Sequence, residues 1–224
     1  MVISRRGLIF AATAAVALPL PGWASRRVFI DTLGVKPSLP EDVKRVPAIL
    51  ANLPTDNYLK LMQALANLGA TEKPGSTGEP WNRRWREYAN PLLVHIWNEM
   101  GYQADTDCTA WCGVTLGWCL KRTGIKPPPD CASSQAYLNY FKETSTPQVG
   151  DICVFTNYGD ATHGHVTIFE NAVPAQKAVR VVGANQSLSI PTNCPGNVGV
   201  NVVDERVMAL KTAGHFLNKY VRPA

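Results

Sequence analysis

The sequence holds six cysteines and four histidines, yet it contains no C-x-x-C pair and no His/Cys cluster at metal-ligand spacing. A zinc site is therefore disfavoured, and no cofactor is implied. There is no internal repeat, so the chain does not read as a repeat array. No low-complexity tract and no long apolar segment occur beyond the N-terminus, so nothing downstream reads as a membrane span.

The N-terminus itself reads "SRRGLIFAATAAVALPLPGWAS". Arg5 and Arg6 precede an apolar run from Leu8 to Leu20, and Gly22 and Ala24 are spaced for signal peptidase. That pattern predicts an export signal over residues 1–24, and the paired arginines resemble a twin-arginine signal. The mature chain of about 200 residues is then periplasmic or secreted. Loss of Arg5 and Arg6 lowers the formal net charge from +5 to +3. An excess that small does not argue for nucleic acid, though it is compatible with an anionic polymer.

Residues 25–56 read as an extended lead-in broken by Pro37, Pro40, Pro47 and Pro54. "TDNYLKLMQALANLG" places Leu61, Leu65 and Leu68 on one helical face. "TEKPGSTGEP" marks a boundary, giving an extension over 25–77 and a main domain over 78–224. "WNRRWREYANPLLVHIWNEMG" predicts two helices split at Asn90-Pro91, with Trp81, Trp85 and Tyr88 packing inward. A further helix is expected over "TAWCGVTLGWCLKRTG", capped by Thr109 or Asp107 and closed by Gly124. Gly113 and Gly117 share one of its faces, which suits close approach to a sheet. Another helix is expected around Ser133–Phe141. Beyond it come β-rich runs: "VGDICVFTN", "GHVTIFENAV", "AVRVVGAN" and "VGVNVVDERV". Helices first and strands after predict an α+β domain with an antiparallel sheet.

A helix N-terminus stabilises a thiolate through its free N–H groups and its dipole. Cys112 lies in the first turn of its helix, and Cys119 lies two turns beyond that influence. His165 opens "GHVTIF" after a glycine that leaves room beside the ring, and Asn185 ends the next strand, where it could orient an imidazole. Each has a structural alternative: a buried or disulfide-bonded Cys112, a hydrogen-bonded strand histidine, a turn-forming Asn185. His163 competes with His165, because alternation sets both on one face. His95 and His215 read as structural.

From about Gly78 to Leu210 the sequence resembles the CHAP (cysteine, histidine-dependent amidohydrolase/peptidase) family, and within it the small cell-wall hydrolases of bacteria and phages, relatives of NlpC-type and papain-like enzymes. The resemblance rests on "GEPW", "NPLLVHIWNEMG", "DCTAWCGVTLGWCLKRTGI", "PQVGDICVF", "GHVTIFE" and "VVGANQS". It implies a papain-like fold, with N-terminal helices packed on a small antiparallel sheet and the nucleophile at the start of the central helix. It also implies cleavage of an amide or peptide bond in peptidoglycan through a thioester, without metal. Cys112 matches the nucleophile, His165 the base and Asn185 the orienting residue. Many family members carry a glutamate two positions before that last residue, where this chain has Gly183. The Cys112 main-chain N–H is a natural oxyanion donor.

Trp111, Asp107 and Gln186 are the candidate substrate-binding residues, with Asp107 alternatively a cap. Cys108 and Cys194 fall in loops expected to flank the cleft and to pair there. A Cys108–Cys112 bridge would instead mask the nucleophile. Thiol titration is expected to show one reactive cysteine and one less accessible one. The expected partner is peptidoglycan or its peptide fragments, met by a monomer with no membrane span once the signal is removed. Two alternatives stay open: an inactive, disulfide-stabilised wall-binding module, and a cysteine hydrolase of a non-wall acylated substrate.

Overall fold

The computed structural model describes residues 35–190, 192–194 and 200–223. The expected export signal lies outside them. Among the described residues, no helix is long and apolar enough to cross a membrane.

The lead-in is not extended throughout. Helices α1 (Pro40–Val43) and α2 (Val46–Ala51) each carry a proline in their first positions. Proline has no N–H to lose there and its φ is already helical, so Pro40 and Pro47 start helices rather than break them. Helix α3 (Tyr58–Thr71) follows the expected periodicity, and the Asn57 side chain caps it by accepting from Leu59 and Lys60 N–H. Its buried face, Leu61, Met62, Leu65 and Leu68, joins the main core together with Val46, Ile49 and Leu53. The segment ahead of residue 78 therefore shares one core with the helices and strands of residues 78–224.

Residues 81–90 depart from the expected helix. Arg83 bridges Val202, and Arg84 N–H donates to the Asn201 carbonyl at 2.8 Å. These strand-like bonds hold the main chain extended, and tertiary pairing overrides helical spacing. Trp81 and Trp85 are nonetheless fully buried, meeting edge-to-face at 5.3 Å. Helix α4 (Pro91–Glu99) begins at the predicted break, capped by Asn90. Helix α5 (Cys112–Arg122) is buried without interruption from Cys112 to Leu120, as a central helix must be. The helix expected around Ser133–Phe141 is a single 3-10 turn, Ser134–Tyr137.

Among the described residues, six strands form one antiparallel sheet: β1 (Lys142–Thr144), β2 (Ile152–Asn157), β3 (Asp160–Val173), β4 (Ala178–Ser187), β5 (Asn201–Ala209) and β6 (His215–Arg222). Their order across the sheet is β1-β6-β2-β3-β4-β5. β5 and β6 are far apart in that order yet joined by only residues 210–214, and Leu217 N–H donates to the Leu210 carbonyl at 2.7 Å. The sheet must roll to satisfy both. Its outer face, including Ile152, Val154, Val166, Ile168 and Val182, packs in the core with α3 and α5. Its inner face gathers Cys153, Phe155, Phe169, Val179 and Val181. The protein is thus α+β, with helices laid against an antiparallel sheet.

Candidate active site

Cys112 is the first residue of α5, and no side chain caps that end, neither Thr109 nor Asp107. The free N–H groups of the first turn remain for a ligand or for the thiol. The glycines behind Cys112 serve a different neighbour from the sheet expected. A Cβ on Gly113 would stand 2.4 Å from the Cys131 carbonyl, and one on Gly117 would stand 2.8 Å from the Cys131 sulfur. They admit the segment at Cys131–Ala132, and the Tyr137 hydroxyl fastens it by donating to the Gly113 carbonyl at 2.7 Å.

The Cys112 thiol is free and 4% exposed. Burial pushes its pKa up, while N–H groups of Val166, Gly113 and Cys112 itself pull it down by facing the sulfur. Burial wins, so the resting group is a thiol. The Val166 contact sets the Cys112 sulfur against the β3 main chain, one residue from His165.

His165 pairs across the strands with Phe155, and Val166 with Val154. Direct cross-strand partners share a face. Val166 and Val154 therefore face α5, while His165 lies with Phe155 on the inner face of the rolled sheet. The His215 ring meets Phe155 edge-on at 5.4 Å nearby. Burial first, then the charges of Arg206 and His215, hold the His165 imidazole down to about 4. At neutral pH it is an uncharged ring able to accept a proton. His163 stands exposed near the β2–β3 turn, its Nδ1 2.6 Å from Asp160 Oδ2. His95 pairs with Glu99 on α4.

Asn185 sits where β4 loses register with β5, in left-handed backbone at φ +63. Asparagine tolerates that conformation better than most residues. Its side-chain oxygen accepts from Asn201 Nδ2 at 2.9 Å. Among the described residues, no hydrogen bond joins Cys112, His165 and Asn185 to one another. At Gly183 a Cβ would lie 2.7 Å from Thr167 Cγ2, so a glutamate has no room there.

The three residues read as substrate contacts are inside the protein. Trp111 and Asp107 have no exposed surface and Gln186 is 3% exposed. Gln186 Nε2 donates to the Gly183 and Asp204 carbonyls, tying the register shift together. Asp107 accepts from Asn90 N–H, and burial raises its pKa to about 6 against the opposing pull of Arg84 and main-chain N–H groups. In this structure these residues pack and bond within the protein and offer almost no surface to a ligand.

Cys108 is bonded to Cys194, which leaves Cys112 unmasked. Among the described residues four thiols remain free, those of Cys112, Cys119, Cys131 and Cys153, rather than the two expected. All four are buried, Cys119 as a core residue of α5. The one grouping of donors near enough to hold a metal is Asp107, Cys108 and Cys194, again among the described residues. Its two sulfurs are taken by the disulfide.

Sequence reasoning passed over Arg84 and Asn201, which connect the Asp107–Thr109 loop to Asn185. Nothing in "WNRRWREY" separates Arg84 from the half-buried Arg83 or the exposed Arg86.

Residues 97–185 match the family model of the CHAP domain. Over this stretch the chain is similar to a CHAP domain. The match runs from Trp97 in α4 to Asn185 in β4 and takes in both Cys112 and His165. CHAP domains mark cysteine, histidine-dependent amidohydrolases and peptidases, a hydrolase family generally tied to the cell wall. No curated protein and no solved structure matches the chain.

Proposed function

We propose that this protein is an exported peptidoglycan hydrolase that cuts an amide or peptide bond by cysteine nucleophilic catalysis. The observation that carries the reading is the position of Cys112. Within the CHAP match it is the first residue of a buried helix, with the Val166 N–H on its sulfur and His165 adjacent in the chain to Val166.

In this mechanism the Cys112 sulfur attacks the amide carbonyl carbon as neutral His165 takes the thiol proton. The Cys112 main-chain N–H donates to the developing oxyanion. Collapse of the tetrahedral species passes the proton from His165 to the leaving amine and leaves a thioester. Water, deprotonated by His165, then releases the acid and restores the thiol. Asn185 orients the imidazole. His165 lies on the face of β3 turned from α5, so the step requires its imidazole to reach the Cys112 sulfur when substrate binds.

The test is mass spectrometry of fragments released from purified peptidoglycan. The intact protein is expected to release peptide-bearing fragments, and Cys112→Ala to release none. Fragments from Cys112→Ala would overturn the mechanism; silence of the intact protein on every wall type would overturn the substrate class.

A second reading, a non-catalytic wall-binding module, draws on the burial of the Cys112 thiol and its missing bond to His165. It requires slow alkylation of Cys112 that is unchanged by substituting His165.

A further inference from the structure

Arg84 has no exposed surface, and it ends on carbonyls rather than in a paired carboxylate. Its Nε donates to the Asp107 carbonyl at 2.7 Å, its Nη2 to the Thr109 carbonyl at 3.2 Å and its Nη1 to Asn201 Oδ1 at 3.5 Å. Its main-chain N–H adds a bond to the Asn201 carbonyl at 2.8 Å. A guanidinium is a rigid planar fork, so acceptors bound to it are fixed in relative position. Burying its charge is unfavourable unless its N–H groups find acceptors, which makes the arrangement hard to relax. Two of those acceptors lie in the loop that leads into Cys112, and the third opens β5.

Arginine donates and never accepts. Asn201 must therefore turn its oxygen toward Arg84, and its Nδ2 necessarily faces the other way. That Nδ2 donates to the Asn185 carbonyl at 3.1 Å and to Asn185 Oδ1 at 2.9 Å. Asn185 is in turn obliged to present its oxygen on this side. The polarity of one buried cation thus sets, through one amide, which way the next amide points. The carbonyl oxygen of Asn185 has a second lone pair free for an imidazole N–H.

We propose that Arg84 and Asn201 are positioning residues, a buried brace that fixes the Asn185 amide and holds it in place relative to the Cys112 loop. This rests on the catalytic roles proposed for Cys112, His165 and Asn185.

Asn201→Asp separates positioning from plain support. The carboxylate keeps the shape of asparagine and pairs with Arg84, so the fold is expected to hold. It has no donor for Asn185, so the amide loses its imposed direction. Fragment release from purified peptidoglycan is expected to fall about tenfold in kcat, the scale of one net hydrogen bond, with KM unchanged. Alkylation of Cys112 by iodoacetamide at pH 7, followed by mass spectrometry, is expected to slow by a similar factor. In an Asn185→Ala background the same substitution is expected to add nothing.

Arg84→Lys is the second variant. It keeps the charge beside Asp107 but loses the fork, and it is expected to show the same loss and the same non-additivity. Wild-type rates in folded Asn201→Asp, losses that add to those of Asn185→Ala, or an Asn185→Ala protein with undiminished rates would each overturn the brace. These outcomes are distinct from failure of the hydrolase reading, which shows as fragment release by Cys112→Ala or no release by the intact protein.

Discussion

At the scale of single residues, the two groups that matter most are shifted in opposite directions by the same cause. Burial disfavours charge, so it raises the thiol of Cys112 and lowers the imidazole of His165. The pair rests as neutral thiol and neutral ring, so the proposed mechanism uses general-base catalysis and not a preformed ion pair. His165 must be uncharged to act, and it protonates only near pH 4 instead of 6.5. Activity is therefore expected to persist through pH 5 to 6 and to fail on an acid limb near 4, read from the pH dependence of kcat/KM. Alkylation of Cys112 is expected to keep rising beyond pH 9, because its pKa is raised above that ordinary thiol value. Gly183 belongs to this scale as well. The contact with Thr167 leaves no space for the glutamate that many family members carry, so the proposed site has three residues where others have four.

Among elements, the approach to α5 is held from two sides. Arg84 binds it from within, and the Cys108–Cys194 disulfide ties it to the connection between β4 and β5. That bond closes a loop with a sequence separation of 86. Replacing both cysteines by serine is expected to remove about 2–4 kcal/mol of stability, measured by urea unfolding. Cys112 takes no part in the bond, so wall cleavage is expected without added reductant. The legibility of the elements divides along the same line. The helix over Tyr58–Thr71, the break at Asn90-Pro91 and the strands after residue 150 follow from local spacing and were readable. The stretch around Arg84 was not, because its main chain bonds to β5, and a window of local spacing holds no record of a distant partner.

For the whole molecule, the core decides where the structural unit begins. Leu61, Met62, Leu65 and Leu68 of α3 pack in one cluster with α5 and the outer face of the sheet. Removing residues 1–77 would strip that face, and buried leucines are each worth about 2–5 kcal/mol when truncated to alanine. The shortened chain is expected to lack a cooperative thermal transition, whereas the full chain is expected to unfold in one. A folded, cooperative 78–224 fragment would show that the extension is dispensable.

Taken by itself, the sequence determined the α+β class, the helix over Tyr58–Thr71, the CHAP resemblance and the place of Cys112 at the start of a helix. All of these rest on composition, local spacing and short words that can be read without knowing which distant segments meet. Tertiary structure alone decided the face of β3 that His165 takes, the burial of Arg84 and the interior location of Trp111, Asp107 and Gln186. The reason is register and closure. A strand shows its alternation in sequence, but which face meets the helix depends on pairing with strands elsewhere in the chain. An arginine shows its charge, but whether that charge is buried depends on carbonyls brought to it only when the sheet rolls.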